Sequence, residues 1–139
     1  RKVRKRGYLE KQELIDLCHW KSPRIRPKCA SNETEFVIEC TQLALSAAHD
    51  KLRIGCLLEL CGVGFPMASV ILHFCHFDPY PIIDYRALWS LGVDQPSYIS
   101  YDFWWKYAAH CRGLSRRYRV NMRTLDRAWW QYSKEKQGR

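Results

Sequence analysis

Apolar residues recur three and four positions apart along most of the chain, and this spacing predicts α-helices. No segment alternates apolar and polar residues as a strand does, and Ile82-Ile83 is too short to form one. The pattern therefore predicts an all-α fold, a compact helical domain. Helices are expected over 9–20, after Asn32, on both sides of residues 62–64, and over 85–91, 96–111 and 122–136.

Residues at the predicted helix ends fit capping roles. Asn32, followed three positions later by Glu35, predicts a capping box, and Asp50 and Ser100 are expected to cap the helices that follow them. The prolines within Lys21–Lys28 should break the first helix into a basic loop. The expected buried stripes are Phe36, Val37, Cys40, Leu43, Ala44 and Ala47, then Trp104, Tyr107, Ala108 and Cys111, then Met122, Leu125, Trp129 and Tyr132.

The stretch Leu57–Leu72 predicts a helical hairpin, about residues 50–77 in all. One helix should end at Cys61, Gly62-Val63-Gly64 should form the turn, and a second helix should begin at Phe65-Pro66. The two glycines can adopt positive φ, and proline suits the first turn of a helix. The N–H groups of the turn and the positive helix N-terminus would then point at one place, as in a phosphate-binding site.

Two segments resemble a known family. Leu60-Cys-Gly-Val-Gly-Phe-Pro-Met-Ala68 resembles the helix-hairpin-helix of the DNA glycosylase superfamily that includes endonuclease III, usually Leu-Pro-Gly-Val-Gly-x-x-Thr-Ala. Pro81–Gly92 resembles the segment in which that superfamily carries a catalytic aspartate at the start of the next helix, which here is Asp84. The resemblance covers residues 50–92, roughly a third of the chain.

The resemblance implies a monofunctional enzyme. Bifunctional members carry a lysine about eighteen residues before the aspartate, and here Pro66 occupies that place, so a Schiff base cannot form there. The resemblance makes Asp84 the carboxylate that stabilises the oxocarbenium-like transition state and helps orient water. The alternative is that Asp84 only caps the helix over 85–91. Lys21 is an amine whose role stays open.

Charge adds a partner to this picture. The 139 residues carry a net charge of +9, which favours a polyanion, and the hairpin makes duplex DNA the first choice. We expect one domain over 1–139, monomeric, intracellular and associated with DNA, without a membrane partner. Beside the hairpin residues Gly62, Val63 and Gly64, the expected DNA contacts are Lys21, Arg24, Arg26, Arg116, Arg117 and Arg119, within the basic segments 21–28 and 112–127. The basic end at residues 1–6 is either a solvated end or a tail that follows phosphates.

A flipped base needs aromatic walls, and Trp20, Tyr85, Trp104 and Trp105 are the candidates. Aromatic residues at such helical spacing more often pack in a core. The sequence does not choose among these four residues.

The seven cysteines favour reduced, buried, intracellular thiols. Some members of the family hold an iron–sulfur cluster with four closely spaced cysteines near the end, but here only Cys111 lies in the last third. No cofactor or metal is expected, although the resemblance implies that a monovalent cation can share the phosphate site through hairpin carbonyls.

The expected function is hydrolysis of the N-glycosidic bond of a damaged base flipped out of duplex DNA, as a step of DNA repair. The sequence does not distinguish uracil, an alkylated purine or an oxidised base. The superfamily's usual domain has more chain ahead of the hairpin than the roughly fifty residues present here. The leading alternative is therefore a non-catalytic helix-hairpin-helix module that binds DNA.

Overall fold

Every regular element of residues 2–137, the part described by the computed structural model, is helical. This confirms the all-α prediction. Nine α-helices and one 3₁₀ turn, Pro23–Ile25, occur in this range. The helices are α1 (Lys2–Arg6), α2 (Lys11–Lys21), α3 (Arg26–Ala30), α4 (Thr34–Ser46), α5 (Asp50–Leu58), α6 (Phe65–Cys75), α7 (Tyr85–Ser90), α8 (Tyr101–Tyr118) and α9 (Met122–Gln137). Within this range no helix is long and apolar enough to cross a membrane.

The chain forms two compact units, which divide between Phe77 and Asp78. The first unit contains α1 to α6, and α2 contacts α3, α4 and α6 in it. The second unit contains α7 to α9, and α9 contacts both α7 and α8.

Two buried polar side chains tie the first unit together. The Thr41 hydroxyl accepts a hydrogen bond from the Leu9 N–H (2.9 Å) and donates to the Val37 carbonyl (2.8 Å). The Arg53 guanidinium donates to the carbonyls of Ala44 and Ala47 and so closes the connection between α4 and α5. Buried polar groups of this kind are stable only with such partners, which fix the path of the backbone.

Two predicted helix caps are wrong. The N-cap of α4 is Glu33, not Asn32, and the buried Asn32 side chain bonds instead to the backbone of Cys29 and Cys61. The N-cap of α5 is His49, so Asp50 lies one residue inside the helix, where its charge still favours the positive end. The sequence indicated a capping role for Asn32 but did not show the distant backbone groups with which its side chain bonds instead.

The predicted buried stripe of α4 is only partly confirmed. Val37, Cys40 and Ala44 are buried, but Phe36 and Leu43 are 41% and 53% exposed. The buried face of α4 instead includes Thr41, whose hydroxyl accepts the Leu9 N–H. The segment Lys21–Lys28 is also more regular than the predicted loop, since it holds a 3₁₀ turn and the start of α3, with Pro27 in the first turn of that helix.

The cysteines differ from the prediction in two respects. Not all of them are buried, since Cys61 is exposed and Cys56 is half-buried. Cys18 and Cys29 form a disulfide, so the expectation that all seven thiols are reduced is wrong. The chain turns back between α2 and α3 and brings the two Cα atoms to 6.8 Å, which a separation of eleven residues did not predict. Cys40, Cys75 and Cys111 are buried free thiols, and burial raises the pKa of Cys75 to about 11 and that of Cys111 to about 12.

In the second unit, the predicted stripe of Trp104, Tyr107, Ala108 and Cys111 is buried, and Ser100 caps α8 by accepting the Phe103 N–H. The helix runs to Tyr118, seven residues beyond the expected end. The expected stripe of α9 holds less well, because Tyr132 is 47% exposed while Ser133 is buried. At the other end of the chain, residues 2–6 form α1, and Arg1 lies outside the described residues.

Arg119 ends α8 in the left-handed region, with φ 54° and ψ 44°. Because a Cβ disfavours this conformation and glycine adopts it freely, Arg119→Gly should raise the free energy of unfolding by about 1 kcal/mol. Urea titration would measure the change. Arg116→Gly, inside the same helix, is the matched control and should lower stability by about 1 kcal/mol. Equal losses in both variants would contradict the prediction.

Candidate nucleic-acid interface and candidate catalytic carboxylate

The two glycines of the hairpin turn differ in what they do. Gly62 has φ 81°, and a Cβ placed on it would lie 2.9 Å from the Cys29 Sγ and 3.1 Å from the Cys29 N. Gly64 has φ −99°, within the range of any residue, and a Cβ there would meet only the Pro66 Cδ, at 3.8 Å. Only Gly62 therefore needs to be glycine for the fold, which corrects the expectation that both use positive φ.

The helix before the turn ends earlier than predicted, at Leu58 instead of Cys61. The chain then tightens through bonds from the Leu60 N–H to the Leu57 carbonyl and from the Val63 N–H to the Leu60 carbonyl. The second helix begins at Phe65 with proline in its first turn, as predicted. Its first internal bond joins the Ala68 N–H to the Gly64 carbonyl at 2.8 Å, and the N-cap residue, Gly64, has no side chain with which to cap this end. The end is thus suited to an acceptor from outside the helix.

Asn32 holds this turn in place. Its side-chain nitrogen donates to the carbonyls of Cys29 (2.9 Å) and Cys61 (3.0 Å), and its side-chain oxygen accepts the Cys61 N–H (2.8 Å). The residue is 4% exposed. The amide nitrogen thus joins the hairpin turn to α3, and the amide oxygen adds a second bond to the turn.

Replacing Asn32 by alanine should destabilise the protein by about 2 kcal/mol, because the backbone of Cys29 and Cys61 loses three hydrogen bonds to a buried side chain. Thermal unfolding followed by circular dichroism would measure the loss. Asn121→Ala is the control, since the exposed Asn121 caps α9 by accepting only the Thr124 N–H (2.8 Å). That change should cost about 1 kcal/mol. A smaller loss of stability for Asn32→Ala than for Asn121→Ala would contradict the role of Asn32 in holding the hairpin turn.

Basic residues accompany the hairpin turn. A Cβ on Gly62 would lie 3.1 Å from the Lys28 Cβ, so α3 packs directly against the turn. Lys28 is exposed, as are Arg24 in the 3₁₀ turn and Arg26 at the start of α3. Lys21 is the last residue of α2 and is half-buried. The hairpin and the 21–28 segment, predicted separately, thus belong to one part of the first unit.

Asp84 lies at the N-terminus of α7, in the second unit. One of its oxygens accepts the Ala87 N–H at 2.9 Å, which confirms the predicted cap. The residue is half-buried and follows the buried run Tyr80–Ile83. Its carboxylate is thereby held in a defined orientation at the end of an extended segment.

Two side chains of the second unit bond to the segment that precedes Asp84. The Tyr107 hydroxyl donates to the Ile82 carbonyl at 2.8 Å, and burial, with smaller contributions from Cys111 and Asp84, raises the pKa of this tyrosine far above its usual value. Tyr107 is therefore a neutral donor over the whole physiological pH range. The Arg112 guanidinium donates to the Pro79 carbonyl (2.7 Å) and lies 4.5 Å from the centre of the Tyr80 ring. Both contacts fasten the segment that carries Asp84.

A groove of about 220 Å³ lies in the same unit. It is lined by side chains of α7, α8 and the loop after α7, and its polar residues are Lys106 and His110. Asp84 is not among the residues that line it. This groove therefore does not serve as a base pocket with Asp84 at its floor.

The four candidate base-pocket residues occupy different environments. Trp104 is completely buried and stacks on Tyr80 at 5.9 Å, so it is a core residue. Trp105 is half-buried. Trp20 is 53% exposed and edge-on to Phe74, and it belongs to the first unit. Tyr85 is exposed beside Asp84.

The predicted arginines of the second unit are all exposed. Arg116 and Arg117 lie in the last turn of α8, and Arg119 follows that helix. The Arg117 guanidinium lies 5.5 Å from the centre of the Tyr118 ring. Because they are exposed, these side chains are accessible to a polyanion.

Sequence reasoning missed the roles of Asn32 and Arg112. Asn32 showed the pattern of a cap, and Arg112 was one of many arginines in a basic run. When a polar residue fits a local role such as a helix cap, the sequence does not show that it will instead bond to residues distant in the chain. Lys28 was recognised as basic, but its contact with Gly62 depends on the fold.

The described residues contain no group of three or more histidine, cysteine, aspartate or glutamate side chains arranged to hold a metal ion. Comparisons of the chain with models of protein families, with curated proteins and with solved structures find no match.

Proposed function

We propose that this chain binds duplex DNA and is a monofunctional DNA glycosylase, which hydrolyses the N-glycosidic bond of a damaged, flipped-out base. The observation that carries the proposal is the contact between the hairpin turn and α3. Gly62 packs on Cys29 and Lys28, and Asn32 bonds both sides of this contact. A hydrogen-bonded turn, followed by a helix whose N-cap is glycine and accompanied by neighbouring cations, fits a DNA phosphate.

Because the Val63 N–H donates to the Leu60 carbonyl, the contact to the phosphate would come from the other backbone N–H groups of the turn and from Gly64, whose open position allows close approach. Arg24, Arg26 and Lys28 would add contacts that do not depend on sequence and weaken as salt rises. Arg116, Arg117 and Arg119 would contribute further cations from the second unit. A monovalent cation could share the turn through its carbonyls, as the resemblance implies.

The chemical step would belong to Asp84. As the bond to the base breaks, positive charge develops on the sugar, and a fixed carboxylate stabilises that charge. The supporting geometry is the hydrogen bond from the Ala87 N–H, which orients the carboxylate, and the hydrogen bond from Arg112 to the preceding segment. Tyr85, next in the chain, is the exposed aromatic residue best suited to contact the base.

The test is a base-release assay on duplexes that each carry one lesion, covering uracil, alkylated purines and oxidised bases. Release of a free base, detected as an alkali-sensitive abasic site, supports the glycosylase. Tight duplex binding without release across the panel would favour the non-catalytic binding module instead. Borohydride trapping on the same duplexes examines Lys21, because a trapped complex that Lys21→Gln abolishes would mean that the enzyme is bifunctional.

A further inference from the structure

Residues 21–30, which include the basic segment beside the hairpin turn, bury little of their own surface. The structure describes all of them, and Cys29 is the only one that is buried. Its disulfide joins it to Cys18 of α2, and both cysteines are completely buried. Because a short helix is held in place chiefly by the side chains that it buries, this one cross-link supplies much of the attachment of α3 to α2.

The same disulfide lies against the hairpin turn. A Cβ on Gly62 would lie 2.9 Å from the Cys29 Sγ, so the sulfur closely approaches the backbone of the turn. The Asn32 side chain also bonds to the Cys29 carbonyl and to the backbone of Cys61. The position of Cys29 is therefore coupled to that of the turn.

Opening the disulfide would change this contact in two ways. The covalent link between α2 and α3 is lost. In addition, bonded sulfurs lie about 2 Å apart, whereas atoms in van der Waals contact stay about 3.5–4 Å apart. Because Cys18 and Cys29 are completely buried, their sulfurs can separate only if the surrounding residues move. Gly62 lies against one of these sulfurs, so the hairpin turn is among those surroundings.

We propose that the Cys18–Cys29 disulfide is a redox switch, which a dithiol reductant opens and which then releases residues 21–30 and the hairpin turn from their oxidised arrangement. The conformational change depends on the first unit alone and not on DNA. Its effect on duplex affinity rests on the proposed function, because Arg24, Arg26 and Lys28 would lose their fixed positions beside the turn.

The chemical step is thiol–disulfide exchange. Because both sulfurs are buried, the reductant attacks when α3 opens locally. A thiolate of the reductant bonds to one sulfur, the disulfide bond breaks, and the departing cysteine takes up a proton. The second thiol of the reductant then displaces the other cysteine. The dithiol is oxidised to a disulfide, and Cys18 and Cys29 together gain two electrons and two protons.

Limited trypsin digestion of the full chain, oxidised or treated with dithiothreitol, tests the release. Arg24 and Lys28 are exposed trypsin sites in the segment. Reduction should speed cleavage after these residues at least about tenfold, because losing a cross-link over a short loop raises the population of the open form. Cleavage after Arg117, exposed in the second unit, is the internal control and should keep its rate. Alkylation of the denatured chain verifies the redox state, with five free thiols when oxidised and seven when reduced.

Two variants identify the cysteines responsible. Cys18→Ala cannot form the cross-link and should be cleaved at the fast rate with or without dithiothreitol. Cys61→Ser is the matched control, since it removes an exposed free thiol next to the turn and should keep the full response to reduction. A response that disappears in Cys61→Ser would overturn the assignment to Cys18 and Cys29.

The wild type alone can overturn the switch. Equal cleavage rates in the oxidised and reduced chains would do so, and so would equal acceleration after Lys28 and after Arg117, since reduction would then unfold the whole chain. Duplex affinity, measured by fluorescence anisotropy, should fall several-fold on reduction. Equal duplex affinity in both redox states would overturn the effect on DNA. Absence of duplex binding in either state would count only against the proposed function, because the digestion is carried out without DNA.

Discussion

Replacing Asp84 by asparagine should reduce base release by about a hundredfold to a thousandfold while the protein stays folded. The expected loss reflects the missing negative charge opposite the cationic sugar, and charges aimed at a transition state are worth this much. Asparagine is as good an N-cap as aspartate. Its side-chain oxygen can still accept the Ala87 N–H, so the start of α7 should keep its structure.

This variant separates catalysis from capping, and single-turnover release from the preferred lesion is the measurement. Asp94→Asn removes a charge from an exposed position in the loop after α7 and should leave the rate unchanged. Duplex affinity, measured alongside, should be retained in both variants. Unchanged release by Asp84→Asn would show that another residue supplies the catalytic charge.

Replacing Gly62 by alanine should lower the free energy of unfolding by about 3 kcal/mol. Two costs combine. A Cβ disfavours φ 81°, and the added Cβ would lie 2.9 Å from the Cys29 Sγ and 3.1 Å from the Cys29 backbone nitrogen. Neither neighbour yields easily, because Cys29 is joined to Cys18 and its carbonyl is bonded to Asn32. Chemical denaturation of the purified variant measures the loss.

Gly64→Ala is the matched substitution in the same turn. Its added Cβ meets only the Pro66 Cδ at 3.8 Å, so stability should change by less than about 0.5 kcal/mol. If backbone N–H groups near Gly64 receive a phosphate, duplex affinity should nevertheless fall several-fold, because the methyl group occupies the approach. Equal stability losses for Gly62→Ala and Gly64→Ala would contradict the geometry of the turn, and unchanged duplex affinity in Gly64→Ala would remove the turn from the DNA contact.

The sequence predicted the helices well because their apolar spacing is a local property. The start of α6 at Phe65 and the caps Asp84 and Ser100 follow from residues only a few positions apart. The predicted helix ends were less accurate where the same residues fit either a helix or a turn. At 59–61 a turn replaces the last helical residues, and at Arg112–Tyr118 the charged residues continue α8 because charge does not stop a helix.

Tertiary partners were beyond the reach of sequence patterns. Asn32 leaves its predicted cap because the backbone of Cys61, twenty-nine residues away, offers it both a donor and an acceptor. The pairing of Cys18 with Cys29 depends in the same way on how α2 and α3 meet. For the candidate site, the residue types could be proposed from the sequence, but the contact of Lys28 with Gly62 required the structure.

The bond between the Cys61 N–H and the Asn32 oxygen also gives the hairpin a built-in reporter. An amide in an exposed turn ordinarily exchanges its hydrogen with solvent rapidly, whereas this one is released only when the surrounding structure opens. Hydrogen exchange at Cys61, followed by NMR, should therefore be slow in the wild type and much faster in Asn32→Ala. A single resonance would then follow the integrity of the hairpin turn in every variant, independently of any DNA.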